Sequence, residues 1–208
     1  NIEINRTFGS PNIVIGVVDS GVDPNHPDFS GNVSDGSTQI FSAFDFSNMV
    51  ANNNSLASGH GTSCASAAAS GANNASTVAG TNEGVCGVAG NCRILAIRRS
   101  GTEADYADIY LWAGGFDPES DDDDFPSQLS RGADVISSSI GLTSAIGSPT
   151  SGTMAAVFDK LTDDGRDGTG GLLFWSAADN GNDNDVVFER RWGMYSRCVS
   201  VAAATLQN

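Results

Sequence analysis

Basic residues are scarce in this chain. Lys and Arg number 10 against 25 Asp and Glu, a formal net charge of −15 over 208 residues. Such a surface repels phosphate backbones and argues against nucleic acid as a partner. It suits cation binding, solubility in high salt or basic substrates, and a solvated acidic surface accounts for most of these carboxylates. No apolar run approaches the length that crosses a bilayer, so no membrane span is expected. The first residues, Asn1-Ile2-Glu3-Ile4, carry neither a basic stretch nor a long apolar one. A signal peptide is therefore not read there, as in a cytosolic protein or the mature part of a processed, secreted one.

Cysteine is also sparse. Cys64, Cys86, Cys92 and Cys198 include no C-x-x-C pair, which excludes a zinc ribbon or a dithiol redox site. Cys86 and Cys92 enclose only Gly-Val-Ala-Gly-Asn. A short-loop disulfide and two separate thiols are equally open there, and a bridge would suit an oxidising compartment. Cys64 lies in a stretch of small helical residues and reads as a buried thiol. There are only two histidines, His26 and His60.

What is present is enough for one domain with a sizeable core: apolar residues make up 39% of the chain, too many for a disordered one. Strand-like runs lie at 13–18, 93–97, 133–139, 171–177 and 198–203, and helical stretches at 62–70, 104–112 and 154–161. Tyr106, Ile109 and Trp112 share one helical face, as do Val157, Phe158 and Leu161. Strands alternating with helices predict βαβ units, hence an α/β, three-layer αβα fold with a mostly parallel sheet. No internal repeat or linker interrupts it, so 1–208 reads as a single domain. Asp117–Gln128, with the acidic run Asp121–Asp124, reads as a surface insertion.

Three segments carry chemistry. The first strand runs into Val18-Asp19-Ser20-Gly21. Functional groups gather at the carboxyl ends of parallel strands, though an Asx-turn alone would account for Asp19. Gly59-His60-Gly61-Thr62 opens the Ala-rich helix. Its two glycines allow close backbone approach, and a histidine framed this way is a candidate general base. Asn180, at the end of Ser176-Ala177-Ala178-Asp179-Asn180-Gly181, offers an amide that can donate to a developing oxyanion. The alternative is an ordinary Asn-Gly turn.

Together, and in this order, these motifs resemble those of the subtilases, the subtilisin-like serine proteases of peptidase family S8. Val17 through Phe29 is similar to the family's aspartate motif, and Gly59–Thr62 to its histidine motif. Gly87–Arg98 resembles the strand after the histidine helix, Ala133–Gly141 the strand that lines the S1 pocket, and Cys198–Ala203 a later strand. The resemblance runs from about Pro11 to the end. It implies a subtilisin-like sheet and a serine endopeptidase in which His60 is the general base, Asp19 orients it and Asn180 serves the oxyanion. It also implies that Ser137, Ser138, Ser139, Ile140 and Gly141 receive an extended polypeptide substrate by backbone pairing. His26 falls in the His-Pro-Asp segment and reads as structural. Asp28 falls on the aspartate of a family calcium site, and Asn73 and Asn82 lie in the loop that supplies its other ligands, so a structural Ca2+ is expected there; no cofactor is needed for the chemistry. Extracellular localisation follows from the same likeness.

The pattern also has departures. The family's Gly-Thr-Ser-x-Ala-x-Pro nucleophile motif does not follow Asn180. The string Gly61-Thr62-Ser63 imitates its start but lies within the histidine motif and lacks the proline, so Ser63 reads as a first-turn helix residue. A companion C-terminal segment bearing the serine is expected, and the chain alone is expected to be inactive. Asp179 replaces the usual Gly before the oxyanion Asn. That change motivates an alternative, a catalytically inactive subtilase-fold module that binds peptides or partners. A Rossmann-type nucleotide domain fits poorly, because two carboxylates, Asp19 and Asp23, occupy the turn where a phosphate would sit. The acidic insertion precedes the strand at Ala133 and so lies at its amino end, away from S1. Without a charge in 137–141 to select one, broad side-chain preference is expected.

Overall fold

The structure is a computed structural model that describes residues 8–31, 33–51, 59–71, 84–99, 101–117, 127–140, 150–170, 173–177, 192–193 and 195–201. The chain divides into two compact units, Asn1–Arg98 and Arg99–Asn208.

In the first unit, β1 (Val14–Asp19), β2 (Ile40–Asp45), β3 (Val50–Ala51), α1 (His60–Ala69) and β4 (Arg93–Arg98) follow one another. The sheet order is β3-β2-β4-β1. β4 runs parallel to both β1 and β2, and only β3 is antiparallel. β1 and β4 were legible as β-branched runs. β2, Ile-Phe-Ser-Ala-Phe-Asp, was not, because it neither alternates apolar with polar nor forms an unbroken apolar run. The helix α1 packs against β1 and β4. It does so through Gly61, Thr62, Ala65, Ser66 and Ala69, all buried. Side chains this small bring the helix backbone close to the sheet. Val17, Val22, Phe29, Ile94 and Ala96 complete that core. Buried Gln39 donates to the Ala69 and Gly90 carbonyls, which ties the end of α1 to the turn before β4.

The second unit contains α2 (Glu103–Ala113), β5 (Val135–Ser138), α3 (Gly152–Gly168), β6 (Leu173–Ala177) and β7 (Cys198–Val201). Its three strands are parallel in the order β5-β6-β7. The α2 helix starts at a capping box, with the Asp105 carboxylate accepting from the N–H and hydroxyl of Thr102. Tyr106, Ile109 and Trp112 are buried together, as their spacing predicted. So are Val157, Phe158 and Leu161 of α3. The Trp192 indole meets Tyr106, Tyr110 and Phe158 edge-on, with centroids 5.4–6.2 Å away.

The insertion leaves and returns at one point. Backbones meet at Gly115 and Gly132: a Cβ on Gly115, whose φ is +86°, would lie 2.7 Å from the Gly132 nitrogen. Trp112 Nε1 donates to the Ser127 carbonyl at 3.0 Å, and Gln128 Nε2 to that of Gly115 at 2.7 Å. Asp121–Asp124 lie outside the described residues. None of the four cysteines is disulfide-bonded. Of the two readings for Cys86 and Cys92, the open one holds: Cys86 is exposed and Cys92 is buried. None of the helices is long and apolar enough to cross a membrane, among the described residues.

Burial holds two protons in the second unit. It pushes the Cys198 thiol up to about 12. It also raises the Tyr110 phenol well above its ordinary value, against the lowering effect of its 2.8 Å hydrogen bond with Ser138 Oγ. The folded chain keeps these protons where the unfolded chain releases them. Their stabilisation is therefore complete below about pH 8.5 and is lost as pH rises through the folded values. The urea midpoint should fall from about pH 8.5 upward, with Cys198→Ala flattening the early part and Tyr110→Phe the part above about pH 10. At neutral pH, Tyr110→Phe should cost about 1–3 kcal/mol, because Ser138 loses its partner. An unchanged alkaline slope in both variants would contradict this assignment.

Candidate active site

Asp19 is the last residue of β1, and its side chain is 4% exposed. Oδ1 accepts from the Ser20 N–H at 2.6 Å and lies 2.8 Å from Nδ1 of His60. Oδ2 is buried without a hydrogen-bond partner among the described residues. His60 is the first residue of α1, with its side chain 55% exposed. A proton on Nδ1 is the one that makes the bond to Asp19, and it leaves the lone pair on Nε2. The two residues are thus a buried carboxylate and an oriented, solvent-accessible imidazole, a combination suited to accepting a proton and stabilising the resulting cation.

The neighbouring motif residues hold this geometry. Ser20 Oγ accepts from the Gly61 N–H at 3.1 Å, and Thr62 Oγ1 accepts from the Asp23 N–H at 3.0 Å. The turn after β1 and the start of α1 are therefore bonded in both directions. A Cβ on Gly61 would collide with the Gly21 carbonyl oxygen and lie 3.0 Å from the Asp19 Cβ. Around Gly59 nothing described lies within 4 Å of a built Cβ. Among the described residues, the expected close approach is seen at Gly61.

Arg98 stands in register with Asp19 on one side and with Asp45 on the other. Its Nη1 is bonded to Asp45 Oδ2 at 3.0 Å. Sequence reasoning missed this pair together with β2, and it missed the linking roles of Ser20 and Thr62.

Cys64 also needs correction. It is partly exposed rather than buried, with Sγ 3.8 Å from His60 Nδ1. One helical turn separates the two residues, which puts them on the same face. That spacing was legible, but the small residues around Cys64 pointed to the core.

The other candidates are placed as follows. Ser63 is exposed, and its Oγ donates to the Gly59 carbonyl at 3.1 Å, a first-turn helix contact. His26 Nδ1 accepts from the Asp28 N–H at 3.2 Å and caps the short 3-10 turn Pro27–Phe29, a structural role. Asp28 is buried, and its carbonyl accepts from the Gly71 N–H at 3.4 Å. It therefore adjoins the start of the 72–83 loop. Of the substrate strand, Ser137 and Ser139 are half-buried, and Ser138 and Ile140 are buried. Ser138 Oγ is engaged by Tyr110. Asn180, Asp179, Gly141, Asn73 and Asn82 lie outside the described residues.

Comparison with known proteins bears on the family and the fold. The model of the Subtilase family matches residues 10–207. The chain is 36% identical over 140 residues to a thermophilic serine proteinase of Bacillus sp. (strain AK1), covering 65% of this chain and 27% of that protein. It is 28% identical over 183 residues to neuroendocrine convertase 2 of Caenorhabditis elegans, covering 86% and 25%. The chain thus spans about a quarter of the length of these curated relatives. Among solved structures, the Clostridium perfringens CspB protease superposes with a TM-score of 0.54 at 18% identity, over 85% of this chain and 37% of that one. The patellamide maturation protease PatA gives 0.51 at 19%, over 93% and 66%. These likenesses agree with the expected α/β fold with a mostly parallel, subtilisin-like sheet.

Gly61→Ala should push α1 away from the Asp19 turn, cost about 1–3 kcal/mol as an overpacking change and weaken the Asp19–His60 bond. Proton NMR of the His60 Nδ1–H, which a short bond to carboxylate moves downfield, reads the effect directly. Gly59→Ala should leave the resonance in place. A downfield signal that persists in Gly61→Ala would show that the close approach does not set the pair.

Proposed function

This chain belongs to the subtilase family, and we propose that Asp19 and His60 are two members of an Asp-His-Ser triad that hydrolyses peptide bonds in polypeptides. The 2.8 Å contact between the buried Asp19 carboxylate and the half-exposed His60 imidazole carries this reading. His60 Nε2 takes the proton of a serine hydroxyl as that oxygen attacks the scissile carbonyl, then gives it to the leaving amine. Asp19 stays ionised, keeps the Nδ1–H tautomer and stabilises the imidazolium. Asn180 is assigned to the oxyanion, where one donor contributes about 2.7–4 kcal/mol to lowering the barrier.

The serine is assigned to a companion segment beyond these 208 residues, because Ser63 serves the first turn of α1. On this reading the 208-residue chain alone hydrolyses nothing. Residues 137–141 pair with the extended substrate through backbone groups. The engagement of Ser138 by Tyr110 and the burial of Ile140 support recognition by main chain rather than by those two side chains. The protein is assigned to the extracellular space.

Labelling of the full-length protein with a fluorophosphonate, read by mass spectrometry of its peptides, tests the triad. The label should fall on one serine outside residues 1–208 and vanish in His60→Ala. Asp19→Asn should lower kcat by about 10⁴. Label on Ser63 would overturn the assignment of the nucleophile. A folded protein that takes no label and cleaves no peptide would instead be a peptide-binding module.

Asp28 and the 72–83 loop are proposed to hold a structural Ca2+. A buried carboxylate at the mouth of a loop rich in oxygen-bearing side chains suits a hard cation. Ca2+ at about a hundredfold excess over its Kd should raise stability by about 2.7 kcal/mol, seen as a higher thermal midpoint. Asp28→Asn should erase the difference between Ca2+ and chelator. A midpoint insensitive to Ca2+ in the parent protein would refute the site.

A further inference from the structure

We propose that Asp45 is a positioning residue for the Asp19–His60 pair: it holds the Arg98 guanidinium on the β2 side of the sheet and so leaves the Asp19 carboxylate to the imidazole. Side chains alternate between the two faces of a strand. Ile15 and Val17 of β1, Ile94 and Ala96 of β4 and Ala43 of β2 all pack into the core under α1. The same alternation puts Asp19, Arg98 and Asp45 on that face, beyond the apolar layer. They form a row across neighbouring strands, because Arg98 is in register with Asp19 on β1 and with Asp45 on β2. Neighbouring strands lie about 4.7–4.9 Å apart, so the guanidinium has a carboxylate within reach on either side.

The two carboxylates are occupied differently. Asp45 is bound into the turn after β2. Its Oδ1 accepts from the N–H groups of Ser47 at 2.8 Å and Asn48 at 3.3 Å, and its Oδ2 from Asn48 Nδ2 at 2.8 Å. Arg98 Nη1 donates to the same Oδ2 at 3.0 Å, and the Arg98 carbonyl accepts from the Phe46 N–H at 3.0 Å. Main chain and side chain of Arg98 are thus both tied to the β2 turn. Asp19, on the other side, uses Oδ1 for Ser20 and His60, while its buried Oδ2 has no hydrogen-bond partner among the described residues. That oxygen is the competing place for a guanidinium.

The competition decides what His60 can do. A guanidinium on Asp19 Oδ2 would make this carboxylate a weaker acceptor for the Nδ1–H. It would also bring a permanent positive charge closer to the ring, which opposes formation of the imidazolium. No proton passes through Asp45 or Arg98; Asp45 acts only by fixing where the arginine charge rests. The consequence for hydrolysis rests on the triad reading above, whereas the effect on the Asp19–His60 bond does not.

Asp45→Asn in the full-length protein removes the charge and keeps an oxygen for the turn N–H groups. The downfield proton signal of the His60 Nδ1–H should move upfield or be lost to exchange with water. kcat should fall about tenfold with KM little changed, the size expected when one charge moves a few ångströms nearer the ring. Asp45→Asn combined with Arg98→Met, which takes the guanidinium away as well, should restore both the signal and kcat. A merely structural salt bridge predicts the opposite, a double variant no better than the single one. Asp45→Ser, whose hydroxyl can accept from the Ser47 N–H, takes the place of Asp45→Asn should the latter not fold. Absence of the downfield signal from the parent protein, a folded Asp45 variant that keeps it, or a signal that stays lost when Arg98 is replaced too overturns the proposal. The expected signal changes in a protein that cleaves no peptide keep the positioning role and lose the triad; a protein that cleaves peptides, with kcat and signal indifferent to Asp45, does the reverse.

Discussion

The Asp19 carboxylate, buried at the end of β1, is the constraint around which the first unit is arranged. An ionised carboxylate out of water needs strong partners. Here they come from the next peptide N–H, at Ser20, and from a ring on another element, His60. To deliver that ring, α1 has to begin almost in contact with the turn after β1. The requirement explains Gly61, where any side chain would strike the Gly21 carbonyl. It also explains the paired bonds that join Ser20 to Gly61 and Thr62 to Asp23.

Charge partition on the sheet follows the same logic. Arg98 lies in register between two buried acids, Asp19 and Asp45. Its bond to Asp45 gives that carboxylate a guanidinium partner. Asp19, by contrast, meets an imidazole. A guanidinium is permanently charged and cannot relay a proton, whereas an imidazole can do so near neutral pH. One helical turn on, the Cys64 thiol lies 3.8 Å from Nδ1 of the same imidazole.

Elsewhere the fold isolates what the chemistry does not use. The acidic insertion is closed at its neck by Gly115 against Gly132 and by the bonds from Trp112 and Gln128. In the second unit, the buried Tyr110 phenol is hydrogen-bonded to Ser138 Oγ. Behind β5, Ser138 thus meets the buried Tyr110 ring through its phenol.

Much of this was legible in the amino-acid order. β1 and β4 showed as β-branched runs, α2 and α3 as faces repeating at helical spacing, and Asp19 and His60 stood in motifs whose turn and helix-start chemistry is local. Such features depend on residues a few positions apart, and a linear reading can see them. β2 escaped because its short run neither alternates apolar with polar nor forms an unbroken apolar stretch, and with it went the Asp45–Arg98 pair, 53 residues apart in sequence. The close approach at Gly61, the bonds to Ser20 and Thr62, the absence of a Cys86–Cys92 bridge and the turn of Cys64 toward His60 were decided only by folding. Each depends on which backbone approaches which across β1 and α1, or across the Cys86–Cys92 loop, and on how closely. That distance is set by the packing of small side chains between helix and sheet, a property of the assembled layers and of no single segment.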